Sequence, residues 1–270
     1  MEPLKILQEQ KIRLFIFTGT AMKPKIYGFN KSSEAGGNAF NASVFLKGCN
    51  MRCPYCMNCR LVTGNLEPIA LEPVEQFIKE SKPEMVMISG GEPFMDFDNL
   101  EATISWLMDL GCKIGISTNG LTPSFLRNCL SDLSYVALDV KGLPEFYMRY
   151  AATDTKFGAM PETAFFRVLE SWKLLRQTLG ATDFSYEIRT TLYPATFKAH
   201  ETSYDYVPWM FLGQLFIEGE KWVLQEFRPT AEMMSENAKE IEPLTAKQLE
   251  MLLNAAQYYA KQATVELRNV

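Results

Sequence analysis

Residues 47–59 read KGCNMRCPYCMNC and follow an apolar run at 42–47 that predicts a short β-strand. The first three cysteines of this stretch, Cys49, Cys53 and Cys56, have the spacing C-x3-C-x2-C, which lets one loop present three thiolates to one side. A [4Fe–4S] cube has four iron corners, so three thiolates leave one iron open to an exogenous ligand. The stretch therefore predicts a metal centre with an open position at which chemistry can occur.

A fourth cysteine, Cys59, extends the spacing to C-x3-C-x2-C-x2-C and leaves two other interpretations open. Four thiolates can bind structural zinc or a closed electron-transfer cluster. Zinc usually draws its ligands from two separated pairs, whereas these four cysteines lie within eleven residues. We expect Cys59 to be a bystander thiol, and we expect the remaining cysteines, Cys112 and Cys129, to be small buried hydrophobic residues.

The composition excludes several classes of protein. The chain has 270 residues and a formal net charge of −5, and it is 47% hydrophobic and 22% charged, which is ordinary for a soluble globular protein. Its longest apolar stretch, at 207–217, has eleven residues, too few to span a bilayer, which takes about 20. The amino terminus carries no basic stretch followed by an apolar run, so we expect no secretory signal and a cytoplasmic location.

The net charge and the histidine content exclude further kinds of partner and site. A pI near 5.2 gives no global attraction to phosphate, so a nucleic acid partner is not expected. His200 is the only histidine, and we expect it to be exposed to solvent. A catalytic triad based on histidine is therefore not expected. In a reducing compartment, the clustered cysteines favour a metal or redox site over a disulfide framework.

After residue 40, short apolar runs alternate with longer amphipathic ones, which is typical of βαβ units and a parallel sheet. The predicted strands lie at 42–47, 85–89, 113–117, 135–140, 186–192 and 222–227, and the predicted helices at 72–82, 100–110, 122–130 and 161–180. Thr122 before Pro123 is typical of a helix N-cap, and Gly111 is typical of a helix end. Six such units predict an α/β fold, as a partial (β/α)6 TIM-like barrel with parallel strands or as an open doubly wound sheet.

We expect residues 1–270 to form a single domain with its core at about 40–230. An N-terminal extension, 1–39, contains a short apolar strand at 14–17 and a glycine-containing loop at 34–38. A C-terminal addition, 231–270, contains a helix at 245–261 and a short final strand at 264–267.

Polar residues lie at or near the ends of four successive predicted strands. They are Gly90, Gly91 and Glu92 after the second strand, Ser117 and Asn119 at the third, Asp139 and Lys141 at the fourth, and Arg189 within the fifth. Two glycines at a strand end let the backbone approach a ligand closely, and Glu92 offers a carboxylate beside them. Because the carboxyl ends of parallel strands meet at one edge, these residues and the cysteine loop are expected to form one site.

C-x3-C-x2-C after the first strand, with Gly-Gly-Glu after the second, resembles the radical S-adenosylmethionine (SAM) superfamily. The resemblance implies a partial barrel, a [4Fe–4S] cluster held by Cys49, Cys53 and Cys56, and SAM on the open iron, whose reductive cleavage gives a 5′-deoxyadenosyl radical. It implies that Gly90, Gly91 and Glu92 position the SAM amino group. The other strand-end residues, Ser117, Asn119, Asp139, Lys141 and Arg189, are then placed to contact the SAM carboxylate or ribose. Tyr55, between two ligands, either packs against the adenine or serves the fold alone.

The sequence around these motifs resembles the anaerobic ribonucleoside-triphosphate reductase activating proteins and, more broadly, the glycyl-radical-enzyme activases. The resemblance lies at 45–56, 88–93, 134–141, 184–191 and 224–229. It implies a glycyl radical enzyme as protein substrate and a flavodoxin or ferredoxin as electron donor. Met57 and Ser117 depart from the family, where histidine and aspartate are common. The alternatives are a radical SAM enzyme that modifies a peptide, an RNA or a small molecule, and a non-catalytic iron–sulfur electron carrier, which would not respond to SAM.

Overall fold

The computed structural model describes residues 22–33, 41–151 and 160–268 of the chain. Within these ranges eight strands form a single sheet whose spatial order is the order along the chain. They are β1 (Gly28–Ser33), β2 (Asn41–Leu46), β3 (Met85–Gly90), β4 (Ile114–Thr118), β5 (Tyr135–Asp139), β6 (Ser185–Leu192), β7 (Lys221–Glu226) and β8 (Thr264–Arg268). β2 to β8 pair in parallel, and β1 pairs antiparallel with β2.

Helices connect the parallel strands. They are α1 (Cys59–Thr63), α2 (Glu72–Ser81), α3 (Phe97–Asp109), α4 (Pro123–Cys129), α5 (Pro144–Tyr150), α6 (Pro161–Arg176), α7 (Val207–Gly213), α8 (Glu236–Lys239) and α9 (Ala246–Tyr259). No pairing among the described strands joins β1 to β8, so the sheet is open, as in a partial barrel. The predicted α/β fold with parallel strands is confirmed, and the six predicted core strands are β2 to β7.

Two strands extend the sheet beyond the predicted six. β8 pairs with β7 and corresponds to the predicted final strand. β1 was not predicted, because its sequence, GFNKSS, has neither an apolar run nor a regular alternation. It is an edge strand whose pairing with β2 shifts register between Asn30 and Ser33. The predicted strand at 14–17 and the loop at 34–38 lie outside the described residues.

The two faces of the sheet bury different side chains. Because successive residues of a strand point to opposite faces, Val86 and Ile88 join the large core under the helices, whereas Met87 belongs to a small separate cluster with Tyr135 and Ala137. Asp139 shares the face of Ala137 and pairs in register with Arg189 of β6. The inner face of the sheet is therefore apolar at β3 and charged from β5 onward.

The predicted end of α3 near Gly111 and the predicted start of α4 at Thr122 are both observed. Gly111 follows Leu110, the C-cap residue of α3, with a φ of +76°, the left-handed conformation that favours glycine. Thr122 is the N-cap residue of α4 and Pro123 its first residue. The Thr122 hydroxyl is buried and does not accept the expected capping hydrogen bond. No helix in the described part of the chain has the length and apolar character that crossing a membrane requires.

Candidate functional site

A cavity of about 500 Å³ lies at the carboxyl ends of β2 to β7. All twelve residues predicted for the site line it, namely Cys49, Cys53, Tyr55, Cys56, Gly90, Gly91, Glu92, Ser117, Asn119, Asp139, Lys141 and Arg189. Cys59 begins α1 and is not among the lining residues. The structure thus brings the predicted residues together at one cavity, and their individual roles stay predictions.

The cysteine loop is held in shape by hydrogen bonds to its backbone carbonyls. Arg52 Nη1 donates to the carbonyl oxygens of Cys49 at 2.9 Å and Met51 at 3.0 Å. From the C-terminal part of the chain, the backbone N–H groups of Met234 and Ser235 donate to the carbonyls of Cys56, at 3.1 Å, and Pro54, at 3.0 Å. The loop is thus held by hydrogen bonds from within and from a segment distant in sequence.

Burial holds the three thiols in their protonated form. It raises the pKa of Cys49, and the Glu92 carboxyl nearby raises it further. Burial also raises the pKa of Cys53, to about 11, although Lys141 opposes the shift. The pKa of Cys56 is raised as well, again chiefly by burial. Ligation by these thiols must therefore displace protons.

Gly90 and Gly91 allow a close approach of the backbone to the end of β2 and the start of the cysteine loop, and both also line the cavity. A Cβ on Gly91 would lie 1.9 Å from the Gly48 carbonyl oxygen, and one on Gly90 would lie 2.2 Å from that of Leu46. Gly90 also has a φ of +123°. The backbone N–H of Glu92 donates to the Gly48 oxygen at 2.7 Å. The glycines are needed because two backbone segments pack directly against each other.

Glu92 is buried, and both of its carboxylate oxygens accept hydrogen bonds. Oε2 accepts from the backbone N–H of Asn119 at 2.7 Å, and Oε1 accepts from the Thr118 hydroxyl at 2.8 Å and the Phe94 N–H at 3.4 Å. Burial raises the pKa of Glu92 to about 7, because the cost of desolvating the charge exceeds the gain from these donors. Glu92 can therefore change its charge near neutral pH.

Asp139 lies between two cations at the opposite side of the cavity. Its Oδ1 accepts from Arg189 Nε at 2.8 Å, and its Oδ2 accepts from Lys141 Nζ at 3.1 Å. Burial alone would raise the pKa of Asp139, but Arg189 and Lys141 lower it overall. Burial would lower the pKa of Lys141, but Asp139 raises it well above its ordinary value. Two positive charges and one negative charge leave a surplus of one positive charge that faces the cavity.

Tyr55 is buried, and its ring packs at 6.0 Å from that of Phe146 and at 4.9 Å from that of Tyr193. These contacts support the structural interpretation of this residue. Adenine packing by Tyr55 stays a prediction.

Residues that sequence reasoning missed line the cavity on the side of β6 and β7. They include Thr191, Gln225 and Arg228. The same rule, polar residues at the ends of apolar strands, would have found Thr191 and Gln225. Outside the site, Cys129 is buried and His200 is exposed, as predicted, whereas Cys112 is only partly buried.

A sequence model of the radical SAM superfamily matches residues 43–178 of the chain. Among curated proteins, a provisionally named glycyl-radical enzyme activating enzyme of Methanocaldococcus jannaschii is 32% identical over 103 residues, which make up 37% of this chain and 43% of that protein. A 7-carboxy-7-deazaguanine synthase of Hyperthermus butylicus is 33% identical over 33% of this chain and 38% of its own length. The chain thus spans less than half the length of these two relatives. The synthase of that name from Clostridium acetobutylicum is 27% identical over 56% of this chain and 71% of its own length.

Solved structures agree on the fold. The crystal structure of Streptococcus suis SuiB bound to S-adenosylmethionine aligns with a TM-score of 0.53 and 14% identity, over 83% of this chain and 51% of SuiB. At this identity the likeness shows a shared fold and nothing more specific.

Proposed function

Since the chain belongs to the radical SAM superfamily, whose sequence model covers residues 43–178, we propose that it is an activase that installs a glycyl radical on a partner enzyme. Its cofactors are a [4Fe–4S] cluster and SAM. The observation that carries the enzymatic part of the proposal is the convergence of the cysteine loop, Glu92 and the Asp139–Lys141–Arg189 group on one cavity.

The donor set suits the cluster. Cys49, Cys53 and Cys56 lie on one loop and line one cavity, and each would hold one iron as a thiolate. When bound, the cluster supplies the electron that cleaves the SAM sulfonium to a 5′-deoxyadenosyl radical. Before the cluster binds, the Sγ atoms of the three cysteines carry protons. Cluster assembly therefore releases these protons to solvent.

The two sides of the cavity match the two charged groups of the methionine part of SAM. The surplus positive charge of Lys141 and Arg189 attracts the SAM carboxylate, with Asp139 holding both cations in place. Across the cavity, the ionised Glu92 carboxylate and the backbone at Gly90 and Gly91 would receive the amino group. Ser117 and Asn119 line the wall between these groups, where the ribose is expected.

The activase assignment is supported by the Methanocaldococcus jannaschii relative, which is 32% identical over 103 residues. The open sheet also supports it, because an unclosed barrel leaves a side by which a segment of another protein can reach the cavity. By this proposal the reacting hydrogen comes from a glycine Cα of the partner. A flavodoxin or ferredoxin supplies the electron.

The proposal is tested anaerobically in two stages. First, the protein is reconstituted with iron and sulfide, reduced with dithionite and mixed with SAM, and 5′-deoxyadenosine is measured together with the EPR spectrum. Second, the anaerobic ribonucleotide reductase of the source organism is added, and its glycyl radical is recorded by EPR. We expect a radical that needs SAM and that is absent when the partner's radical-bearing glycine is replaced by alanine. SAM cleavage without any radical on this partner would contradict the activase assignment and leave the superfamily chemistry intact.

A second candidate is synthesis of 7-carboxy-7-deazaguanine. It is favoured by the relative from Clostridium acetobutylicum, 71% of whose length is covered by the match. The measurement that separates the two is expression of this chain in cells that lack their own synthase. Restored 7-carboxy-7-deazaguanine would establish the second candidate, and its absence together with a SAM-dependent glycyl radical would exclude it.

A further inference from the structure

The side-chain amide of Asn119 has a fixed orientation at the end of β4. Its Oδ1 accepts a hydrogen bond from the Leu121 N–H at 3.0 Å, so the oxygen must face that donor. The Nδ2 group then faces the other way and donates to Asn50 Oδ1 at 2.8 Å. The hydrogen-bond network therefore decides which end of the amide is nitrogen.

The second hydrogen of this amide is directed toward a predicted ligand sulfur. Asn119 Nδ2 lies 3.9 Å from Cys49 Sγ, within hydrogen-bonding range for sulfur. Asn119 is 4% exposed and Asn50 is fully buried, so little water competes for this hydrogen. A thiolate is a stronger acceptor than a thiol, because charge-assisted hydrogen bonds are shorter and stronger. The contact is expected to tighten when Cys49 loses its proton.

The backbone of Asn119 is anchored as firmly as its side chain. Its N–H donates to the buried carboxylate of Glu92 at 2.7 Å, and Thr118 donates to the same carboxylate at 2.8 Å. The amide is thus held by β4, by Glu92 and by the cysteine loop through Asn50. A donor fixed in this way loses little entropy when it binds an acceptor.

We propose that Asn119 is a positioning residue that raises the reduction potential of the cluster through a hydrogen bond from Nδ2 to the Cys49 thiolate. Reduction adds negative charge to the cluster and its sulfurs, so a hydrogen bond stabilises the reduced form more than the oxidised form. This inference rests on the proposed cluster site but needs neither SAM nor a partner enzyme. It gives Asn119 a role in addition to the SAM contact predicted from the sequence.

The test is a redox titration of the reconstituted protein, followed by EPR in the absence of SAM. Asn119→Ala removes the donor and leaves the backbone bond to Glu92. We expect the ratio of reduced to oxidised cluster at a fixed potential to fall about three- to tenfold, which corresponds to roughly 30 to 60 mV for one electron. An Asn119→Ala protein with a full cluster and an unchanged titration would overturn the proposal.

Ser171→Ala is the matched control. The Ser171 hydroxyl, fully buried on α6, donates to the carbonyl of Gly120 at 2.7 Å, so its loss disturbs the same turn without touching the amide. Its titration is expected to coincide with that of the wild type. An equal shift in both variants would mean that loosening of the turn causes the effect, and this would also overturn the proposal.

A second measurement does not depend on whether Asn119→Ala assembles a cluster. Protein labelled with ¹⁵N in the asparagine side chains is reduced, and nitrogen couplings to the cluster are recorded by pulsed EPR. We expect a weak coupling in the wild type that is lost in Asn119→Asp, which keeps the shape and replaces the nitrogen. No such coupling in the wild type, or one that persists in Asn119→Asp, would refute the hydrogen bond. A cluster that shows the coupling but does not cleave SAM would contradict the proposed function alone.

Discussion

The strand ends of β2 to β4 and those of β5 to β7 form the same cavity by different means. On the first side, backbone packs against backbone, as between Gly91 and Gly48, and the carboxylate of Glu92 is buried and accepts hydrogen bonds. On the second side, charged side chains face each other, with Asp139 between Lys141 and Arg189. The superfamily match ends at residue 178, before β6 begins.

The difference indicates that the two sides of the cavity tolerate substitution to different degrees. A site held by backbone contacts tolerates few substitutions, which suits a reaction that is common to a superfamily. A site made of side-chain charges can change its ligand by a few substitutions, because the strands stay in place. The ends of β6 and β7, which lie beyond the superfamily match, are therefore where we expect this chain to differ most from its relatives.

The largest effect is expected from substitutions in the cysteine loop, which belongs to the first side. Replacing Cys49, Cys53 or Cys56 singly by alanine should reduce both the iron content and 5′-deoxyadenosine formation to background, because each thiolate would hold one iron. Cys59→Ala, at the start of α1, is the control and should keep both. Loss of the cluster in Cys59→Ala would require a different ligand assignment.

The backbone packing on the first side is tested by Gly91→Ala. A Cβ would lie 1.9 Å from the Gly48 carbonyl oxygen, so the backbone must move, and we expect a loss of about 3 kcal/mol in the free energy of unfolding. Urea unfolding of the cluster-free protein measures it. Gly111→Ala is the control, because nothing lies within 4 Å of its Cβ, and its left-handed backbone should cost about 1 kcal/mol. Equal losses in both variants would mean that the two strand ends are not packed as described.

The second side is tested by Lys141→Met, which removes the charge and keeps most of the side-chain volume. We expect the dissociation constant for SAM, measured by calorimetry on the reconstituted protein, to rise about tenfold while the iron content stays unchanged. Lys221→Met is the control, because Lys221 pairs with Glu266 at 2.9 Å at the start of β7, away from the cavity. Unchanged SAM affinity in Lys141→Met would show that this lysine serves the ion pair with Asp139 alone.

The sequence predicted the strands and the lining residues of the cavity better than it predicted their contacts. Apolar runs predicted β2 to β7, because burial acts locally, and the cysteine spacing together with the strand-end polar residues predicted twelve residues that line one cavity. The sequence did not reveal what Gly90 and Gly91 approach, since their contacts with Leu46 and Gly48 join segments more than 40 residues apart. It also could not show that Asn119 faces Cys49, because that depends on which way the amide turns in the folded chain.

The smallest expected effect concerns the buried carboxylate of Glu92 on the first side. The pKa of Glu92 is about 7 in the folded protein, above its ordinary value of 4.5, so the folded state holds this proton more tightly than the unfolded state does. Stability from this group is therefore fully present at low pH and is lost as the pH rises through 7. Between pH 6 and pH 8 the loss should be about 1 kcal/mol.

Glu92→Gln isolates this effect, because glutamine has nearly the same shape and does not titrate. Urea midpoints of the cluster-free wild type and variant are measured at pH 6 and pH 8, and all other titrating groups cancel in the difference. We expect the wild type to lose stability relative to the variant as the pH rises. A difference that does not change with pH would mean that Glu92 is ionised throughout this range. The first side of the cavity would then carry a permanent negative charge opposite the surplus positive charge of the second.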